Sequence, residues 1–176
     1  MIKLTRYGAF AGILALAGCS TMAQAPATSN VSPQDLAFIT TAYQLVHFDL
    51  AACAYVQKGG LTPTVVPVAN KICADAATYA PQIQEQAKAN GVTLPSALPL
   101  ELKSQLVALS YHPSPNLSVA FLRDEISSHE SALAVFQDEA RNGTAPQFKQ
   151  VAIQTKPLVE QNLELLRKAM PEGMGE

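Results

Sequence analysis

The sequence predicts an all-α fold, an up-and-down four-helix bundle with one short extra helix between the second and third long helices. Three observations predict it. Four long segments repeat apolar side chains with a helical period, and Pro, Gly or capping residues lie near the ends of these segments. No segment shows the apolar–polar alternation of a strand with comparable strength.

The chain begins with a leader that is typical of bacterial lipoproteins. A short basic start is followed by an apolar run over residues 9–17 and by the tetrapeptide Leu-Ala-Gly-Cys at 16–19. The run is too short to span a bilayer, and small residues precede the cysteine, as a signal peptidase requires. We therefore predict a signal peptide over residues 1–18 and lipidation of Cys19. Ser20, in place of an Asp, favours the outer membrane facing the periplasm.

Residues 19–31 are small and polar and predict a flexible tether. A linker of this kind holds the domain about 20 Å from the membrane. The formal net charge of −2 becomes more negative once the basic leader is removed, which argues against nucleic acid as a partner. The expected membrane attachment is therefore the lipid on Cys19 alone, and the sequence names no protein or small-molecule partner.

The first helix is predicted over residues 32–58, because Ser32 is a good N-cap and a Gly pair ends the segment. The second is predicted over residues 62–90, with a Pro in its first turn and a Gly after its end. Pro81 lies inside this second segment, where it removes a backbone hydrogen bond. We expect it to kink or split the helix.

The connection that follows carries the short helix, over residues 100–110. The third long helix is predicted over residues 117–142 and the fourth over residues 144–169. Thr144 opens the fourth helix in the pattern of a capping box, and Pro157 predicts a second kink.

Several polar side chains replace apolar ones on the inward stripes, namely Asp49, His129 and Asn162, with Asp75 at the edge of another stripe. Isolated buried carboxylates are costly, so these groups must pair, bind a metal or meet water. One interpretation is a hydrogen-bond network that fixes the register of the helices. The other is a single transition metal bound by Asp49, Asp75, Glu125 and His129. With one inward histidine, we expect no resident cofactor and less than one tightly bound metal per chain.

The sequence lacks the motifs that mark common enzyme classes. It contains no dinucleotide-binding glycine pattern, no phosphate-binding loop, no nucleophile elbow, no zinc-protease motif and no Cys-x-x-Cys. We therefore assign no catalytic residue and favour a function other than catalysis.

Several short motifs resemble one known family. They are Asp35-x-x-Phe38 in the first helix, Gln86-Ala87-x-x-x-Gly91-Val92-x-x-Pro95 after the second, His129 with Phe136 in the third, and Pro157-Leu158 in the fourth. The sequence from Asp35 to Ala169 resembles the DUF4142 family of bacterial envelope proteins. The resemblance implies a ferritin-like four-helix domain, which we place at residues 32–170, with a disordered tail over residues 171–176.

The resemblance also implies a polar centre. The family pattern has a Glu on the first helix, an Asp-His pair on the second, and a His on each of the third and fourth. The matching positions here hold Asp49, Asp75-Ala76, His129 and Asn162. Two of the three histidines are replaced, so the resemblance implies a reduced site.

The matched positions also bear on the two cysteines that remain after lipidation, Cys53 and Cys73. Residues at one level of an antiparallel hairpin have numbers with a nearly constant sum. The residue numbers of Cys53 and Cys73 have nearly the same sum as those of the family-matched Asp49 and Ala76, so the two cysteines should face each other. We predict a disulfide between them in an oxidising compartment, and the alternative is two buried free thiols.

Three functions stay open from the sequence. The first is a lipid-anchored, non-enzymatic binding or structural module of the envelope. The second is a metal-binding or redox protein that uses the reduced carboxylate and histidine site. The third is a stress factor whose bundle opens to hold an apolar ligand.

Overall fold

The computed structural model describes residues 31–114 and 116–173. In this part of the chain there are five helices and no strand. The helices are α1 (Pro33–Val56), α2 (Val66–Ala89), α3 (Leu100–Ser110), α4 (Asn116–Asn142) and α5 (Pro146–Ala169). The predicted all-α class and the short helix between α2 and α4 are confirmed. The leader, Cys19 and the tether up to residue 30 lie outside the described residues.

The long helices form a closed ring in which α1 lies beside α2 and α4, and α5 lies beside α4 and α2. Asp49 of α1 accepts a hydrogen bond from Ser128 of α4, and Asp75 of α2 accepts one from Asn162 of α5. Thr144, just after α4, also donates to Asp35 at the start of α1, and Gln147 at the start of α5 donates to Asn90 at the end of α2. The helices therefore run up, down, down and up, and not in the strictly alternating order of the predicted up-and-down bundle. The connection with α3 returns along the bundle, so α2 and α4 run in the same direction, as in ferritin-like bundles with one crossover.

The apolar core has two parts. The lower core surrounds Phe38 and Phe148, near the start of α1, and the upper core surrounds Phe121 and Leu166, near its end. Val31, which we assigned to the tether, packs against the lower core. The polar side chains of the inward stripes lie between these two cores.

Two helix starts differ from the sequence prediction. The helix α2 begins at Val66 and not at residue 62. Residues 62–65 first form a turn, in which the carbonyl oxygen of Thr62 accepts hydrogen bonds from the N–H groups of Val65 and Val66. Thr144 does not cap α5, so the predicted capping box is wrong. Its hydroxyl donates instead to Asp35 of α1, at 2.5 Å.

The sequence also marks an N-cap at the start of α1 and a proline inside each of α2 and α5. Ser32 caps α1 and forms a capping box with Asp35, which accounts for the sharp start of that helix. Pro81 and Pro157 both lie inside helices that continue past them. Neither proline splits its helix.

Cys53 of α1 and Cys73 of α2 form a disulfide, with their Cα atoms 5.6 Å apart. Both residues are buried. This Cα separation is usual for a disulfide. The bond closes a loop that contains the turn between α1 and α2, so it fixes these two helices to each other beside the upper core.

Among the described helices, α1 is long and apolar enough to cross a membrane by length and composition. However, 44% of its most apolar window is buried inside the bundle. Two acidic residues of α1, Asp35 and Asp49, are buried against other helices. These contacts are those of a helix packed within a bundle.

Candidate metal centre

A cavity of about 60 Å³ lies between the lower and upper cores, and all four long helices contribute to its wall. Most of its lining is apolar. Its polar members include one residue from each long helix, Asp49 of α1, Asp75 of α2, His129 of α4 and Asn162 of α5, and two more, Tyr79 and Thr155. The inward polar residues singled out in the sequence thus meet at one level of the bundle, and Ala76 leaves part of the space that a larger side chain would fill.

Three side chains at this level come close enough to share an ion. Asp49, Glu125 and His129 each offer one ligand atom, and these three atoms lie within 4.8 Å of one another. Glu125 and His129 are one helical turn apart on α4, so they project from the same face. Asp49 meets them from α1.

Glu125 is fully buried, and neither of its carboxylate oxygens has a hydrogen-bond partner among the described residues. Burial raises the pKa of Glu125 well above its usual range, and the negative charge of Asp49 raises it further. Burial also raises the pKa of Asp49, although the His129 ring and a hydrogen bond from Ser128 oppose this effect. The pair is therefore poised to share a proton or a cation.

The ring of His129 is held by its own helix. Its Nδ1 lies 2.9 Å from the backbone carbonyl oxygen of Glu125 and 3.7 Å from Oε2 of the Glu125 side chain. A carbonyl only accepts hydrogen bonds, so Nδ1 is a donor in this arrangement, and Nε2 is the ring nitrogen left to bind a metal. Histidines that bind metals are commonly oriented in this way.

The predicted set of four ligands requires a correction at Asp75. Asp75 lines the same cavity but lies outside the group of three. Its Oδ2 accepts hydrogen bonds from Lys71 Nζ at 2.7 Å and from Asn162 Nδ2 at 2.9 Å. The Lys71 ammonium balances its charge, so Asp75 has no need of a metal.

Comparison with known proteins places the chain in a family. Residues 20–169 match the family described as Domain of unknown function (DUF4142). The chain belongs to the DUF4142 family. A crystal structure of a DUF305 fragment from Deinococcus radiodurans is similar, with a TM-score of 0.69 and 18% identity over 78% of this chain and 95% of that chain. At this identity the likeness shows the fold alone, and no curated protein matches the chain.

A second buried carboxyl group of this DUF4142 domain escaped the sequence analysis. Glu139 is fully buried near the end of α4, and its oxygens also lack a hydrogen-bond partner among the described residues. It follows the buried Phe136 by three positions, the spacing that continues an inward stripe. Extending that stripe to the end of the helix would have identified it.

Proposed function

We propose that this DUF4142 protein is a lipid-anchored binding module of the bacterial envelope, and that its helical domain holds one divalent transition-metal ion. The proposed ligands are Asp49, Glu125 and His129. The observation that carries the proposal is the fully buried Glu125 carboxyl, which accepts no hydrogen bond from the described residues.

Two carboxyl groups buried beside each other need a positive partner. Leaving both ionised and unpaired in an apolar interior is very costly. Ser128 donates one hydrogen bond to Asp49, at 2.8 Å, and supplies nothing to Glu125. A dication neutralises both groups at once. A site with one imidazole nitrogen and two carboxylates suits zinc, manganese or iron better than magnesium or calcium, which prefer oxygen ligands alone.

The spacing of the three ligand atoms can be compared with that around a bound ion. A tetrahedral zinc ion with bonds of about 2.1 Å keeps its ligand atoms about 3.4 Å apart. The three atoms here all lie within 4.8 Å of one another, so no more than small side-chain rotations would bring them to that spacing. The cavity beside them leaves space for this movement and for a further ligand.

The alternative is a structural network in which a proton takes the place of the metal. A protonated Glu125 that donates to Asp49 would also neutralise the pair and fix the register of α1 against α4. The sequence alone favours this interpretation, because only one histidine faces inward. The two possibilities differ in whether a metal displaces that proton.

Titration with zinc distinguishes them. We expect the mature protein to bind one Zn²⁺ per chain in calorimetry, more tightly as the pH rises, since the ligands must lose their protons. Glu125→Gln should weaken binding by about 100-fold, because it keeps the shape of the side chain and removes a ligand oxygen and its charge.

Asp75→Asn is the matched control, because it removes a carboxylate from the same cavity but not from the proposed ligand set. It should retain zinc affinity within a few-fold of the original chain. The proposal fails if no saturable zinc binding occurs, or if Asp75→Asn weakens binding as much as Glu125→Gln does.

The membrane attachment is proposed from the leader and the cysteine at position 19. Cys19→Ala should shift the protein completely from the membrane fraction to an uncleaved or soluble form, because acyl chains supply the whole attachment. Ser20→Ala should keep the protein with the membrane. A Cys19→Ala protein that stays with membranes and is processed at the same site would rule out lipidation.

A further inference from the structure

We propose that Asp35 and Glu139 form a pH-sensitive clasp at the end of the bundle where the tether enters, which loosens when Glu139 loses its proton. Asp35 lies in the first turn of α1 and Glu139 in the last turn of α4. Gly143 and Thr144, in the turn between α4 and α5, complete the clasp. The four residues connect the start of α1 to the α4–α5 turn.

The first half of the clasp is a carboxylate held by many donors. Asp35 is fully buried and accepts five hydrogen bonds. They come from the N–H and hydroxyl groups of Ser32, from the N–H and hydroxyl groups of Thr144, and from the N–H of Ala145. Burial raises the pKa of Asp35, but these hydrogen bonds outweigh it and hold the pKa far below its usual range. Asp35 is therefore ionised.

The second half is a carboxyl group without donors. Glu139 is fully buried, and neither of its oxygens has a hydrogen-bond partner among the described residues. Gly143 packs so closely against it that a Cβ at that position would overlap the Glu139 carboxyl group. Glu139 also lies at the negative end of the α4 dipole, which opposes a negative charge. The environment therefore favours the neutral acid.

The charged neighbours act in the same direction. Asp35 of α1 and Asp138 of α4 both raise the pKa of Glu139. On the described residues no lysine, arginine or histidine forms an ion pair with it; Lys149 of α5 donates instead to the Arg141 carbonyl. Burial is the largest cause and the neighbouring Asp35 carboxylate adds to it, so the pKa of Glu139 rises to about 7. The Gln34 amide does not meet Glu139, because it donates to Asp138 at 2.7 Å.

A proton, and not a metal ion, is the partner that this geometry accepts. The Asp35 oxygens are already surrounded by N–H and O–H donors, which repel a cation. A protonated Glu139 can donate to Asp35, which removes the second negative charge from the buried pair. An ionised Glu139 would face Asp35 with no donor between them.

The sign of the pH dependence follows from the raised pKa. The ordinary pKa of this group is 4.5 and its value in the folded domain is about 7. Glu139 therefore makes its full contribution to the free energy of unfolding below pH 4.5, and that contribution is lost as the pH rises through about 7. Loosening at alkaline pH affects the start of α1 and the α4–α5 turn, and so the end of the domain nearest the proposed lipid anchor.

Hydrogen exchange measured by mass spectrometry on the mature protein tests the clasp. After correction for the intrinsic pH dependence of exchange, peptides covering residues 33–40 and 138–148 should open about 30-fold more at pH 8.5 than at pH 5.5, as the two pKa values require. A peptide covering residues 70–80 of α2 should show no such change. Glu139→Gln should remove the pH dependence, because its amide can donate to Asp35 at every pH.

Glu130→Gln is the matched control, since Glu130 is an exposed acid on the same helix that pairs with Arg167. It should keep the pH dependence of the original chain. The clasp is refuted if the two peptides show no pH dependence, or if Glu139→Gln retains it. Carbon NMR titration of Glu139 in the original chain gives a second test that needs no variant, and a pKa near 4.5 would also refute the clasp.

Discussion

Replacing Cys53 and Cys73 together with Ala should lower the free energy of unfolding by about 3 kcal/mol. The disulfide closes a loop with a sequence separation of 20, and its loss returns the corresponding chain entropy to the unfolded state. The Cα separation of 5.6 Å is in the range of unstrained bridges, so little of this gain should be lost to distortion. Denaturant unfolding under oxidising conditions measures the change.

Reduction of the original chain is the control for this variant. The reduced protein should unfold at nearly the same denaturant concentration as the double alanine variant, because both lack the crosslink. Two free thiols in unfolded, unreduced protein from the envelope would contradict the bridge. Equal stability of the oxidised original chain and the double variant would contradict its energetic role.

Phe38→Ala should destabilise the domain by about 3–5 kcal/mol. Phe38 is 2% exposed, and its ring meets the edge of Phe136 of α4 at a centroid distance of 5.2 Å and lies 6.3 Å from Phe148 of α5. Its loss leaves a cavity where three helices meet in the lower core. Thermal and denaturant unfolding measure the effect.

Phe38→Leu serves as the matched control, because it keeps most of the apolar volume and should cost much less. A loss below about 1 kcal/mol for Phe38→Ala would mean that the lower core collapses around the missing ring or contributes little to stability. Equal losses for the two variants would indicate that the aromatic edge contact, and not the filled volume, is the main contribution.

The helices were predictable because their signals are local. Ser32 with Asp35 forms a capping box within one turn, and the inward stripe of α1 follows a helical period. The exceptions depend on distant residues. Thr144 bonds to Asp35 of another helix and so does not cap its own, and Thr62 is held by the Ser118 hydroxyl. The residues next to a helix end do not indicate which distant residues will contact it in the folded bundle.

The polar centre was partly predictable, because some of its residues can be recognised from the local pattern of their own helix. Asp49 and His129 stand out because they interrupt apolar stripes, and Glu125 is one turn from His129. Asp75 has the same pattern, but its role depends on Lys71 and Asn162, which only the folded bundle brings to it. Glu139 was missed because acids near the end of a helix are usually solvated. Its burial depends on the close approach of Gly143 and on the neighbouring Asp35 of α1.

Anomalous diffraction from crystals of the protein grown with zinc tests the proposed metal site most directly. We predict one full-occupancy zinc peak per chain, bonded to Asp49, Glu125 and His129 inside the bundle, and its absence from crystals of Glu125→Gln. The chain has two other histidines, His47 of α1 and His112 after α3. Zinc found only at these two, with the interior carboxyl pair unchanged, would contradict a metal-binding function and leave the structural network in its place.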